Sequence, residues 1–235
     1  PEWLGLANYK ELFTGDVRFL KSLEVTLKYV FIGVPLQLLM AFTLALILNN
    51  GVKGLSTLRA IYYVPSLLGP SLAIAILWRQ IFGADGIVND FLSLFGITPT
   101  SWIADPETAI YTLIILLAWQ FGSPMVIFLA GLKQIPKDLY ESASIDGAGK
   151  WTKLVKITLP MLSPIIFFNL VMQFIGAFQA FTPAYIIGGQ TGGPLDSTLF
   201  YTLYLYIKGF TEFQMGYASA MAWVLLIIVA TFTAL

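Results

Sequence analysis

Five stretches of this chain, residues 25–48, 60–82, 110–131, 161–187 and from Met215 onward, are nearly unbroken apolar sequence. At a rise of about 1.5 Å per residue, each is long enough for an α-helix to cross about 30 Å of hydrocarbon. No water is present at that depth to bond a free N–H or C=O, so the main chain must pair its own polar groups, and helices do this within one segment. Hydrophobic residues make up 57% of the chain and charged residues 11%, against about a quarter charged in a soluble domain. The expected fold is an all-α integral membrane protein, a polytopic helical bundle with five transmembrane helices.

The connecting segments orient those helices through their lysines and arginines. Residues 49–59 carry Lys53 and Arg59 with no acid, and residues 132–160 carry Lys133, Lys137, Lys150, Lys153 and Lys156; both are expected in the cytoplasm. Residues 83–109 hold Asp85, Asp90, Asp105 and Glu107 without a base, and the glycine- and tyrosine-rich 188–214 has only Lys208 as a base, which places both outside. Residues 1–24 mix Trp3, Tyr9, Phe13 and Phe19 with charges of both signs and read as an outer interfacial segment, ahead of one transmembrane domain over 25–235. Pro35 is expected to kink the first span. Pro65, Gly69 and Pro70 should bend or unwind the second, so that it lines protein or water. Pro1 is not an initiator residue, no signal-peptide pattern stands at the first residue, and Leu235 falls inside an apolar run, so the chain reads as a piece of a longer protein.

Several chemistries are excluded. Thirteen basic residues balance thirteen acidic ones, leaving no basic field for nucleic acid. Without Cys or His there is no disulfide, thiolate or imidazole chemistry, and neither a metal site nor a catalytic residue is expected. The spans contain no Asp, Glu or His, the usual proton- or ion-coupling groups at membrane depth; Lys28 and Arg79 lie near span ends, where they can snorkel. A sodium site built of carbonyls and amides stays open. Gly147-Ala148-Gly149-Lys150 lacks the spacing of a Walker loop, so a nucleotide that drives this chain is bound by another.

The polar groups at membrane depth are neutral. Asn169, Gln173, Gly176 and Ala180 fall on one stripe of the fourth span, and Phe167, Phe174, Phe178, Phe181 and Tyr185 on nearly the opposite one, which should face lipid or neighbouring helices. Gln120 adds an amide on the third span. Such amides either cross-link helices or face a wet path, where they suit an uncharged, hydroxyl-rich solute. Residues 139–160 form a polar island within 132–160: a short helix after Pro136, a turn at Gly147 and Gly149, and a second helix from Trp151 to Thr158. Small Ser142, Ala143 and Ala148 beside Glu141 and Asp146 offer a surface for a soluble partner; the other reading is a solvated linker.

The island resembles something specific. Glu141-Ser142-Ala143, then Gly147, then Ile157, Leu159 and Pro160 look like the EAA loop of permease subunits in ABC importers. Ile145-Asp146-Gly147-Ala148 with Ile157-Thr158-Leu159-Pro160 is similar to the carbohydrate branch, the maltose and glycerol-phosphate type, although Ser142 stands at the usual first alanine and Leu154 where an aromatic is common. Trp78 to Phe82, Trp102 to Pro106, Phe128 to Leu132, Ile175 to Phe181 and Gly192-Gly193-Pro194 extend the resemblance along most of the chain. It implies the type I importer permease fold, with one more helix ahead of the first span. It also implies a second homologous permease, an extracytoplasmic binding protein delivering a sugar, and two cytoplasmic ATPase subunits that hold ATP and Mg, since this chain holds no cofactor. Glu141, Ser142, Ala143, Asp146, Gly147 and Ala148 would form the coupling helix. Gln173, Gly176 and Ala177 align with sugar-contact positions, and Gln120 lies near another. The competing expectation is an ATPase-independent carrier or channel for a neutral polar solute.

Overall fold

A computed structural model describes residues 4–49 and 54–234; Trp3 and Lys53, used in the orientation reading above, lie outside them. The described residues hold helices, turns and loops without a strand. Helix α1 (Ala7–Thr14) leads into α2 (Val17–Asn49), 33 residues long, which Pro35 does not end. Because α2 begins at Val17, the expected division between residues 24 and 25 is not a structural boundary. The reason is Asp16, whose Oδ1 accepts the Phe19 N–H at 3.0 Å and so starts the helix eight residues before the apolar run.

The second span bends as expected. Helix α3 (Leu55–Leu68) and α4 (Leu72–Ile81) meet at 93°, and the Ser71 hydroxyl caps α4 by accepting the Ile74 N–H. After α5 (Ile87–Ser93), the third span is also broken, into α6 (Ala109–Trp119) and α7 (Gly122–Leu132), bent by 40°. The fourth departs from the expected 161–187. Helix α8 (Lys137–Ile145) is followed by a continuous helical stretch through α9 (Lys150–Lys153), a π-helical turn at Leu154–Thr158 and α10 (Leu159–Phe178). That stretch stops at Gln179, and α11 (Thr182–Ile186) resumes beyond it. Helix α12 (Tyr201–Tyr206), a second π turn (Ile207–Thr211) and α13 (Met215–Ala234) complete the chain.

The three breaks share one feature. An α-helix bonds each carbonyl to the N–H four residues on, and proline has no N–H. Pro70, Pro124 and Pro183 stand four residues after Ser66, Gln120 and Gln179, so each proline strips the helical donor from one of those carbonyls. Counting each bent pair as one span gives five. Helix α2 is central and packs on α6, α7, α10 and α12. Outward faces carry exposed Leu39, Leu67, Leu72, Phe167 and Trp223, as in a body solvated by lipid.

Residues 4–24 are fastened to the end of the bundle that carries residues 188–214. Asp16 Oδ2 accepts the hydroxyls of Tyr204 and Tyr217, each at 2.6 Å, and Arg18 makes a two-pronged pair with Asp196 at 2.7 and 2.9 Å. Arg18 also donates to the Thr191 carbonyl at 3.0 Å, which holds the loop containing Leu195 and Asp196, both in left-handed backbone.

Candidate functional site

The three breaks converge on one cavity of about 390 Å³. Ser66, Pro70, Gln120, Pro124, Gln179 and Pro183 all line it, together with Gln173, Gly176 and Ala177 from α10. Four of the five expected pathway residues, Gln120, Gln173, Gly176 and Ala177, therefore share a wall. Asn169 does not: it is buried in the protein one turn away.

The Gln120 carbonyl, freed by Pro124, is claimed from two other helices. Gln37 Nε2 on α2 and Ser66 Oγ on α3 both donate to it at 2.9 Å, and the Ser66 oxygen accepts the Ser123 N–H at 2.8 Å. A carbonyl can only accept, so the Gln37 amide nitrogen must face it; the Gln37 Oε1 is then left buried with no donor. Gln37 is thus a cavity residue that the sequence reading missed. So are Ser66, Gln179 and the ring of Phe181. Phe181 was expected on the aromatic stripe facing lipid or neighbouring helices, but α10 ends at Phe178 and the main chain turns before it, so Phe181 lines the cavity. Phe174 and Phe178 stay on that stripe and pack against Phe232 of α13, with Phe31 of α2 beside Phe174. Tyr29, almost fully buried, supplies a second ring. Neutral amides and hydroxyls beside two aromatic faces can hydrogen-bond and stack an uncharged polar solute.

The second site is the polar island. Helix α8 buries no residue; Glu141, Ser142 and Asp146 are exposed, and Ala143 and Ala148 are partly covered. Its end is closed by a left-handed residue: Gly147 has φ of 75°, its N–H bonds the Ser144 carbonyl at 3.1 Å, and the Ala148 N–H bonds the Ala143 carbonyl at 2.8 Å. Two side-chain bonds tie α8 to the next helix, Tyr140 to Thr158 at 2.9 Å and Lys153 to Ser144 at 2.6 Å. Around this rigid hook, Ile145 is 88% and Trp151 75% exposed. Two large apolar side chains therefore stand exposed beside the charged residues of the loop. Ile145 opens the run that resembles the carbohydrate branch and Trp151 opens the second helix, but neither is among the coupling residues expected from the sequence.

A bundle of broken spans around a polar cavity, with a hook on one connecting loop, defines a solute-translocating membrane component. The model of the family described as "Binding-protein-dependent transport system inner membrane component" matches residues 29–235, and the chain belongs to that family. It is 56% identical over 234 residues to the "Probable ABC transporter permease protein YesP" of Bacillus subtilis, covering 99% of this chain and 76% of that protein. The lactose transport system permease protein LacF of Rhizobium radiobacter is 35% identical over 96% of this chain and 77% of its own length. The trehalose/maltose transport system permease protein MalF of Thermococcus litoralis is 33% identical, with 98% and 77% covered. A chain of a bacterial alginate ABC transporter, solved in complex with an alginate pentasaccharide-bound periplasmic protein, shares the fold with a TM-score of 0.86 at 24% identity, covering 98% of this chain and 81% of that one. The chain is accordingly a multi-pass permease of an ABC transporter.

Proposed function

We propose that this permease imports a sugar or related polyol, delivered by an extracytoplasmic binding protein and driven by ATP that two cytoplasmic subunits bind with Mg and hydrolyse. A second homologous permease would complete the path across the bilayer. The observation that carries this reading is the cavity: neutral amides, hydroxyls and main-chain carbonyls gathered at three proline breaks, beside the rings of Tyr29 and Phe181, with no ionised side chain among its lining residues. The names of the related lactose and trehalose/maltose permeases support the same solute class.

In this reading residues 132–160 lie in the cytoplasm and residues 1–24 outside. Glu141, Ser142, Ala143, Asp146, Gly147 and Ala148 seat the hook in an ATPase subunit. Nucleotide binding draws the two ATPases together, the hooks follow, and the broken spans exchange access to the cavity from one side to the other. The test is co-purification of the complete complex and measurement of ATP hydrolysis across a panel of sugars, with and without binding protein. One sugar should stimulate hydrolysis, and Gln173→Ala should weaken that stimulation while Glu141→Ala abolishes it. Transport by this chain alone in vesicles, driven by an ion gradient, would overturn the reading in favour of a secondary carrier.

A further inference from the structure

Asn169 is 0% exposed, and neither its Nδ2 nor its Oδ1 has a hydrogen-bond partner. Helical spacing sets it on the stripe of α10 that carries Gln173, Gly176 and Ala177, all three of which line the cavity. It stands one turn, about 6 Å, nearer the coupling loop than Gln173. A buried amide without partners forfeits the bonds that water gave it, whereas a leucine of similar size would carry no such cost. Elsewhere the buried positions of α10 are apolar: Leu162, Ala177 and Phe178. An unpaired amide at this depth is accounted for if its partner arrives in another state of the protein.

We propose that Asn169 is a second station on the solute path, sealed in the state described here and reached when the cavity opens toward the coupling loop. This rests on the import reading above. The amide offers two donors and an acceptor, which suits a hydroxyl that itself both donates and accepts, so the ligand class is a neutral hydroxylated solute leaving Gln173 for the cytoplasm. Drawing the hooks together closes the coupling-loop side. Asn169 is therefore reached when nucleotide is absent.

Residues 1–235 contain no cysteine, so with any cysteine elsewhere in the subunit replaced by serine, Asn169→Cys and Gln173→Cys each introduce its single thiol. In the complete reconstituted importer, the probe is a small cationic methanethiosulfonate, and its addition to this chain is followed by intact-mass spectrometry in nucleotide-free and vanadate-trapped complexes. Asn169→Cys is expected to label about tenfold faster in the nucleotide-free complex, as access to it shifts with the population of states. Equal rates, no labelling in either state, or faster labelling in the trapped complex overturns the assignment of Asn169. Gln173→Cys separates the two ideas: if it too stays unreactive in both states, the cavity is no solute path and the import reading fails with it. As a check independent of the thiol, Asn169→Leu should raise the melting temperature of the complex. A fall would mean that the amide is already bonded and would equally overturn the proposal.

Discussion

Gln37 of α2 donates its side-chain N–H to the main-chain oxygen of Gln120 at 2.9 Å, the same oxygen that Ser66 of α3 bonds. Three helices are thereby pinned at a single atom, which is free only because Pro124 lacks an N–H. Replacing Gln37 by Leu preserves most of the volume but removes one of the two donors. Because Ser66 still bonds the oxygen, the expected loss is at most the net worth of one hydrogen bond, about 0.5–1.5 kcal/mol, seen as a lower melting temperature of the purified complex with membrane insertion retained.

Pro124→Ala acts on the other side of the same bond. It returns an N–H that can claim the Gln120 carbonyl within a straightened helix, in competition with Gln37 and Ser66. Thermal stability is expected to hold or rise while solute-stimulated ATP hydrolysis falls. A variant with unchanged hydrolysis would show that the break is dispensable.

Gly147 and Gly149 differ in what they require. Gly147 has φ of 75°, so Gly147→Val costs about 1–2 kcal/mol of left-handed strain. The end of α8 should unwind, and nucleotide hydrolysis should lose its response to solute. Gly149, at φ −70° and with open space around it, accepts alanine, so Gly149→Ala should leave both hydrolysis and its response intact.

Gly122 lets α7 press against α3. A methyl group there would meet the Tyr62 carbonyl and lie 2.7 Å from the Tyr63 Cα, both main-chain atoms that cannot rotate away. Gly122→Ala should cost about 1–3 kcal/mol, with the fall in melting temperature as the readout.

Asp16 makes the stability of its end of the bundle pH-dependent. Burial opposes its ionisation, but the hydroxyls of Tyr204 and Tyr217 and the Phe19 N–H outweigh that effect and hold the carboxyl below its ordinary value. A carboxyl lowered in the folded state adds stability that is fully present above the unfolded pKa, near 3.9, and is lost as pH falls through the folded value. The wild type should therefore melt above Asp16→Asn by a constant margin from about pH 8 to 5, and the margin should narrow toward pH 3. A margin independent of pH would remove the carboxylate from this role.

What could be read from the sequence was the part written in runs and in punctuation. The apolar stretches, the bend at Pro65, Gly69 and Pro70, and the helix ending at Gly147 each rest on several neighbouring residues that agree. Gln120, Gln173, Gly176 and Ala177 stood out as polar or small at membrane depth, and the structure brings them to one cavity. Asn169 carried the same signal, yet the cavity stops short of it. The breaks at Gln120 and Gln179 were missed because a lone proline inside an apolar run resembles the tolerated Pro35 and Pro164, both of which their helices absorb. What the two breaks share is a glutamine four positions before the proline, and at Gln120 the donors that replace the lost N–H come from Gln37 and Ser66 on other helices, visible only in three dimensions. Gln37, one amide in a long apolar helix, has no periodic companion to announce it. Asp16 was obscured because hydropathy locates a span's greasy length, whereas capping sets where the helix begins.

In the import reading proposed above, the unbroken helical stretch from Lys150 to Gln173 is the lever between the two sites. It is about 35 Å long, so a tilt of about 5° at the hook swings its far end by about 3 Å, roughly the length of one hydrogen bond. The wider π turn at Leu154–Thr158 sits at the foot of this arm. A nudge too slight to disturb any helix thus moves cavity side chains by about the reach of one hydrogen bond, the displacement that the proposed import cycle requires.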